Sequence, residues 1–350
     1  MRKTRHDRYA AFAKAALFAG VAIFAAGGSQ AFAQGTKITV GRTTGASGFH
    51  LPSYVAVDKG IFKKEGLDAT FVSMTGKALV TAGLGGAIDF VPIPGGGSQA
   101  SLKGAKLMYV VGQSLVSQWA IVTPKQYTSV EQLKGKTCGY GRPGSADYDE
   151  GEIVLSKSFH MNVGKDYKVI SFQGEPERIA ALINGDIQCA LVSFPHAARG
   201  VMAGFKILMK TGDYLPRIGG VFWVTEKYFN GHKDVVKKFI RSIAEAIQYI
   251  EDNKAGTVEV IQNQYGIKDP KEAAFVYDQL RNAYGPDLPD ALFREVFEGR
   301  KEAFEAKGLW PKGKKLPDVE AWVPREMLNG TLREMGYFLQ RPPHVQGKMN

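Results

Sequence analysis

The sequence is poor in the groups that make hydrolases and metal sites recognisable. Its 350 residues hold two cysteines and six histidines, one of them His6 near the start. No His-Glu-x-x-His, Gly-x-Ser-x-Gly or Cys-x-x-Cys occurs, which removes the common zinc-peptidase, serine-hydrolase and paired-thiol patterns. Gly135-Lys136-Thr137 has the end of a phosphate-binding loop, but Val130 stands where its first glycine belongs. No internal repeat is evident. Lys and Arg are scattered, with no basic stripe interleaved with aromatics, so nucleic acid is not an expected partner. Beyond residue 33 no apolar run approaches the roughly 20 residues a membrane helix requires.

What is present begins with an export signal. Arg2, Lys3, Arg5, Arg8 and Lys14 precede the apolar stretch Ala15 to Ala26, and Ala31-Phe32-Ala33 forms a small-residue cleavage site. A cleaved leader over 1–33 is expected, and the absence of a cysteine near the cleavage site leaves no attachment point for a lipid anchor. Removing five basic residues and Asp7 from 45 Lys+Arg and 34 Asp+Glu leaves 40 against 33, a moderately basic mature chain. Such a balance favours anionic solutes or surfaces weakly. Export into an oxidising compartment permits one disulfide between Cys138 and Cys189. Both lie in apolar β-type runs, and buried free thiols are the expectation here.

From Lys37 onward short β-type runs alternate with helical ones, the pattern of a parallel sheet covered by helices. The first series runs through Ile38–Gly41, a helix over 52–64, Asp68–Ser73, a helix from Lys77, Asp89–Ile93 and a long strand region from Lys106 to Thr123. Pro124 opens a second series with strands at 137–140, 168–172, 188–192 and 206–209, and helices starting near Ser145, Pro176 and Pro195. In the helix from Pro176, closed by Gly185, Ile179, Leu182 and Ile183 form the apolar face. After Val224 amphipathic helices dominate, with Val236, Phe239, Ile243, Ile247 and Ile250 at helical spacing. The expected layout is two α/β lobes joined by two crossovers: 34–123, then 124–217, a return with C-terminal helices over 218–340, and a flexible tail over 341–350.

At Pro52-Ser53-Tyr54-Val55-Ala56, Lys59-Gly60-Ile61-Phe62 and Glu65-Gly66-Leu67-Asp68 the chain resembles periplasmic solute-binding proteins of the nitrate/sulfonate/taurine type. The resemblance continues through Ala87–Phe90, Ser129–Lys136 and Ile183–Ala190. It implies a two-lobed type II periplasmic-binding-protein fold, each lobe a mostly parallel sheet flanked by helices. It further implies non-covalent capture of a small solute for the membrane permease of an ABC importer, by a monomer with no cofactor. The thiamine-pyrimidine synthases share that fold but carry a cysteine-rich motif absent here.

In open α/β sheets ligands sit beyond the carboxyl ends of strands, where helix N-termini present N–H groups. That rule selects Ser47, Phe49 and His50; Gly76 and Lys77; and Pro94 and Gly95 in a glycine-rich turn. On the second lobe it selects Gly144, Ser145 and Ala146, Gly174 and Glu175, and Ser193 and Phe194. Gln118 and Trp119 occupy the first crossover. Lys77 suits an acid group, and the set as a whole suits a small organic anion such as a sulfonate or carboxylate. Capping, solvation and core packing compete at each position: Ser47 and Ser193 read equally as caps, Trp119 as a core aromatic, and Asp147, Asp149 and Glu150 as acids favoured by the helix dipole. Gly139-Tyr140-Gly141-Arg142-Pro143-Gly144 matches the dinucleotide fingerprint, so the competing expectation is an exported enzyme, dehydrogenase-like through this loop or thiamine-pyrimidine-synthase-like through the fold.

Overall fold

The structure, a computed structural model, describes residues 35–43 and 47–337. The expected leader and the expected tail lie outside the described residues. Strand β1 (Thr36–Thr43) pairs in parallel with β2 (Leu67–Met74), Thr36 opposite Leu67 and Thr43 opposite Met74. Helices α1 (Leu51–Asp58) and α2 (Ile61–Lys64) connect them. The single helix expected over 52–64 breaks at Gly60, whose φ of 70° lies in the left-handed region that glycine enters at little cost.

Helices α3 (Gly76–Leu84) and α4 (Pro94–Leu102) follow, then β3 (Leu107–Ser114) and β4 (Trp119–Thr123). The long strand expected over 106–123 is thus two strands. At its break the Ser114 hydroxyl donates to the Val116 carbonyl at 2.7 Å, a local bond that competes with the ladder. The chain then leaves one sheet for another.

The second series contains β5 (Thr137–Tyr140), α5 (Ala146–Phe159), β6 (Lys168–Ser171), α6 (Glu175–Asn184), β7 (Cys189–Ser193), α7 (Phe194–Met202) and β8 (Lys206–Lys210). Its sheet runs in the order β6-β5-β7-β4-β8. The strands β6, β5 and β7 are mutually parallel, and β4 runs antiparallel to both β7 and β8. Residues 119–123, expected in the first lobe, therefore belong to the second sheet. Strand β9 (Gly220–Thr225) returns to pair antiparallel with β3. Bridges Val40–Phe90 and Val91–Trp223 link β1 to β9 through a short extended segment, which completes the first sheet.

Adjacency of β5 and β7 places Cys138 opposite Cys189, with Cα atoms 4.5 Å apart and a disulfide between them. This corrects the expectation of free thiols. The two positions are 51 residues apart, and only the strand order brings them together.

Helices α8 (Glu226–Gly231), α9 (Lys233–Asp252), α10 (Lys254–Tyr265), α11 (Pro270–Leu280), α12 (Asp290–Ala306) and α13 (Arg325–Glu334) complete the chain. The apolar stripe of α9 is buried as its spacing predicts, and Phe239 stacks on Phe90 with centroids 3.7 Å apart. In α6, Ile179 and Leu182 are buried, but Ile183 is exposed, because the helix presents a narrower face to the sheet than expected. No helix among the described residues is long and apolar enough to cross a membrane.

Candidate functional site

The carboxyl end of β1 supplies the first wall. Arg42 lies one residue before the strand's end, half-buried, with its Nε on Ser73 Oγ and its guanidinium 5.8 Å from the Tyr54 ring centre. Among the described residues no carboxylate pairs with it. The chain resumes at Ser47, and the turn Gly48–His50 leads into α1. His50 is buried, and its Nε2 lies 3.1 Å from the Thr43 N–H and 2.8 Å from the Thr43 hydroxyl. The backbone donor fixes Nε2 as an acceptor, so Nδ1 carries the hydrogen of the neutral ring. Burial, with the Arg42 charge adding to it, pulls the His50 imidazole down to about 4. Its Nδ1 has no partner, and neither has Ser47 Oγ.

The crossover between β3 and β4 supplies the floor. Gln118 is fully buried, and its Nε2 donates to Ser114 Oγ at 2.8 Å. Its Oε1 has no partner and points at the turn: a Cβ at Gly48 would lie 2.6 Å from it. Trp119 opens β4 with 9% exposure, and Phe49 packs on it with ring centroids 5.6 Å apart and planes tilted 60°. Trp119 is also opposite Ser193 in the β4–β7 pairing. The expected residues Ser47, Phe49, His50, Gln118, Trp119 and Ser193 therefore form one connected group across the two lobes.

The second wall differs from expectation, because its anion-binding positions hold the protein's own carboxylates. Asp147, in the first turn of α5, accepts from Gly141 N–H at 3.0 Å and from the Ser145 hydroxyl, and pairs with Arg178 at 2.7 Å. Both members of that pair are buried, and Arg178 also donates to the Leu191 carbonyl. The Gly144 N–H donates to Asp149 at 3.1 Å and the Ser145 N–H to the Arg142 carbonyl at 2.9 Å. The donors of Gly144 and Ser145 are thus committed within their own loop, and Ala146 stands exposed beside them. The dinucleotide reading of Gly139 to Gly144 meets the same obstacle, since the carboxylate of Asp147 lies where a pyrophosphate would approach the loop.

At the next helix Glu175 Oε2 accepts from both the N–H and the hydroxyl of Ser193, at 2.6 and 2.7 Å. Gly174 caps α6 in extended conformation. Phe194 is buried in the core, so its side chain packs instead of facing a solute.

The remaining expected positions separate from this group. The glycines after Pro94 lie inside the first turn of α4 and not in a free turn. A Cβ at Gly97 would lie 2.6 Å from Trp223 Nε1, and one at Gly96 2.5 Å from Val80, so close packing accounts for those two glycines. Gly95 instead lies under Arg300, whose guanidinium would be 3.3 Å from its Cβ. Gly76 borders open space, and Lys77 beside it is exposed with no ion pair among the described residues.

Sequence reasoning missed three cations and the carboxylate that ties the two crossovers together. Arg42 obeys the strand-end rule and was open to discovery by it. Arg300, on α12, reaches Asp149 of α5 at 3.3 Å, joining the first lobe's helical return to the second lobe, with Lys157–Glu302 at 3.5 Å along the same pair of helices. Glu150, almost fully buried, accepts from Ser117 in the first crossover and pairs with Arg217 in the second. The Ser117 and Thr211 hydroxyls lie 2.9 Å apart, and Thr211 donates to the Trp119 carbonyl at 3.1 Å. Asp147, Asp149 and Glu150 all favour a helix start, yet each also has a separate cation.

Among the described residues no group of three His, Cys, Asp or Glu side chains is arranged to hold a metal ion. The arrangement offers aromatic faces, neutral hydrogen-bonding groups, one cation and one carboxylate. Such a set binds and orients a small organic molecule.

Known proteins share this fold. The Bacillus subtilis protein YtlA, provisionally assigned as a binding protein, is 26% identical over 295 residues, covering 79% of this chain and 85% of its own. The alkanesulfonate-binding protein SsuA from Xanthomonas axonopodis pv. citri, solved with MOPS, superposes with a TM-score of 0.66 at 20% identity, covering 83% of this chain and 99% of that one. The periplasmic nitrate-binding protein NrtA from Synechocystis PCC 6803 superposes with a TM-score of 0.65 at 13% identity, covering 86% and 89%. These likenesses establish the periplasmic-binding-protein fold. The profile described as NMT1/THI5 like matches residues 48–255, more than half of the sequence, and the chain belongs to that family.

Proposed function

We propose that the protein is the periplasmic solute-binding component of an ABC importer, a monomer that holds a small organic acid between its lobes and delivers it to a membrane permease. The observation that carries this reading is the connected group running from His50 and Phe49 through Gln118 and Trp119 to Ser193. It joins both lobes at a crossover, where closing the lobes changes every contact to a trapped solute. Arg42 is the partner for the acid group, being a half-buried cation without a carboxylate partner among the described residues; Lys77 is a more exposed second candidate. A sulfonate or carboxylate fits that partner. We place the lobe boundary at the break between β3 and β4, with 35–114 and 220–337 forming one lobe.

Catalysis has no place in this reading, because the chemistry required is desolvation and hydrogen bonding alone. The enzyme alternative loses its sharpest support where Asp147 fills the glycine loop. A thermal-shift screen of sulfonates, carboxylates, nitrate and pyrimidines on the exported form tests the proposal. An organic acid is expected to raise the melting temperature. Stabilisation by cations alone would remove the acid assignment.

A further inference from the structure

The far wall has a property that the acid-binding reading leaves unused. The last residue of β7, Ser193, presents an N–H and a hydroxyl at the start of the nine-residue helix α7, and both donate to one oxygen of Glu175. Ser193 is fully buried, so this donor pair is not shared with solvent. Among the described residues the other oxygen of Glu175 has no hydrogen-bond partner, and no Lys or Arg forms an ion pair with this carboxylate. Three other carboxylates of this wall have cations: Asp147 has Arg178, Asp149 has Arg300 and Glu150 has Arg217.

A second set of groups belongs to the same place. Trp119 lies opposite Ser193, and the preceding residue, Gln118, is fully buried with Oε1 unpartnered and aimed at the turn that carries Ser47, whose hydroxyl is also buried and unpartnered. These polar atoms expect a polar molecule beside Trp119. Arg42, at the end of β1, has no carboxylate partner among the described residues, and Glu175, bonded to the residue opposite Trp119, has no Lys or Arg partner among them.

We infer that Glu175 is a specificity-determining residue: it repels a second acid group at the α7 helix start and accepts a hydrogen bond from an N–H donor of the solute. The solute class is then a monoacid carrying an amine, amide or amidine at its far end. A helix N-terminus with free N–H groups would favour an anion there. With Glu175 already on those donors, a second anion meets a fixed negative charge, whereas an N–H group meets an acceptor. The inference rests on the solute-binding reading proposed above.

The test compares the wild-type protein with Glu175→Gln across matched probes: propionate, 3-aminopropionate and succinate, together with benzoate, 4-aminobenzoate and terephthalate. Gln keeps an oxygen to accept from Ser193 and removes the charge. Unliganded melting curves of both proteins, and of Ser193→Ala, establish that each variant folds; Ser193→Ala loosens Glu175 without removing its charge. Wild type is expected to prefer the amino-bearing member of a series by roughly tenfold or more in affinity, the scale of a charge-assisted hydrogen bond. Glu175→Gln is expected to abolish that preference and to tighten the diacid, while Ser193→Ala retains the preference in weakened form. A wild-type preference for the plain acid or diacid, or a preference unchanged in Glu175→Gln, would overturn the role of Glu175. If none of the probes, nor any compound of the wider screen, stabilises the wild-type protein, the binding reading itself fails, which is a separate result.

Discussion

Phe49 and Trp119 touch across the junction of the lobes, their ring centroids 5.6 Å apart. One stands in the turn before α1 and the other begins the strand that carries the chain into the second sheet. Lobe motion must separate or reseat this pair. A solute bound beside Trp119 is therefore expected to alter the protein's tryptophan fluorescence. Trp119→Phe should abolish that signal yet keep affinity within roughly threefold, whereas Trp119→Ala should weaken binding roughly tenfold, the scale of a lost aromatic contact. Unchanged affinity in Trp119→Ala would place the solute elsewhere.

Glu150 ties both crossovers to α5 through Ser117 and Arg217. Glu150→Ala leaves a partly buried guanidinium without its partner and should cost about 3 kcal/mol of stability in chemical denaturation. In an Arg217→Met background the same substitution should cost clearly less, because the two side chains act as a pair. Equal costs in both backgrounds would show that Glu150 acts without Arg217.

The disulfide Cys138–Cys189 closes a long loop whose ends are 51 positions apart. Chain entropy assigns such a cross-link about 4 kcal/mol. Cys138→Ser with Cys189→Ser is expected to lower the melting temperature without changing the preference among solutes, since the bond lies within the second core. Thiol titration of the unfolded, unreduced protein should find no free thiol; two would contradict the bond.

His50 gives the stability a pH dependence of predictable sign. Its folded value of about 4 lies below the ordinary 6.5, so the unfolded chain binds the proton more readily. Its contribution is complete above pH 6.5 and is lost as pH falls towards 4, amounting to about 3 kcal/mol at the lower limit. Denaturant midpoints measured from pH 7 to pH 4 should fall along that slope. His50→Asn should flatten it, and an unaltered slope would assign the effect to other groups.

The elements of the fold were largely legible because hydrophobic spacing and punctuation are local properties. Gly185 ends α6, and the stripe of α9 is buried where its period puts it. The break at Ser114 was not legible, since 107–123 holds no Pro, Asn or Asp to mark a turn and one hydroxyl decides where the chain turns. Within the candidate site, the strand-end rule selected Phe49, His50, Glu175 and Ser193. It could not show that Glu175 bonds to Ser193, nor that Asp147 pairs with Arg178, because these partners are 18 and 31 residues away. Arg300 carries no local signal: it belongs to an amphipathic helix and gains its place only when α12 meets α5.

The most direct test is calorimetric titration of the protein with the most stabilising organic acid, followed by recovery of the compound for mass spectrometry. One molecule bound per chain, lost on Trp119→Ala and recovered chemically unchanged, is the predicted result. Conversion of the compound, or binding indifferent to Trp119, would contradict capture between the lobes.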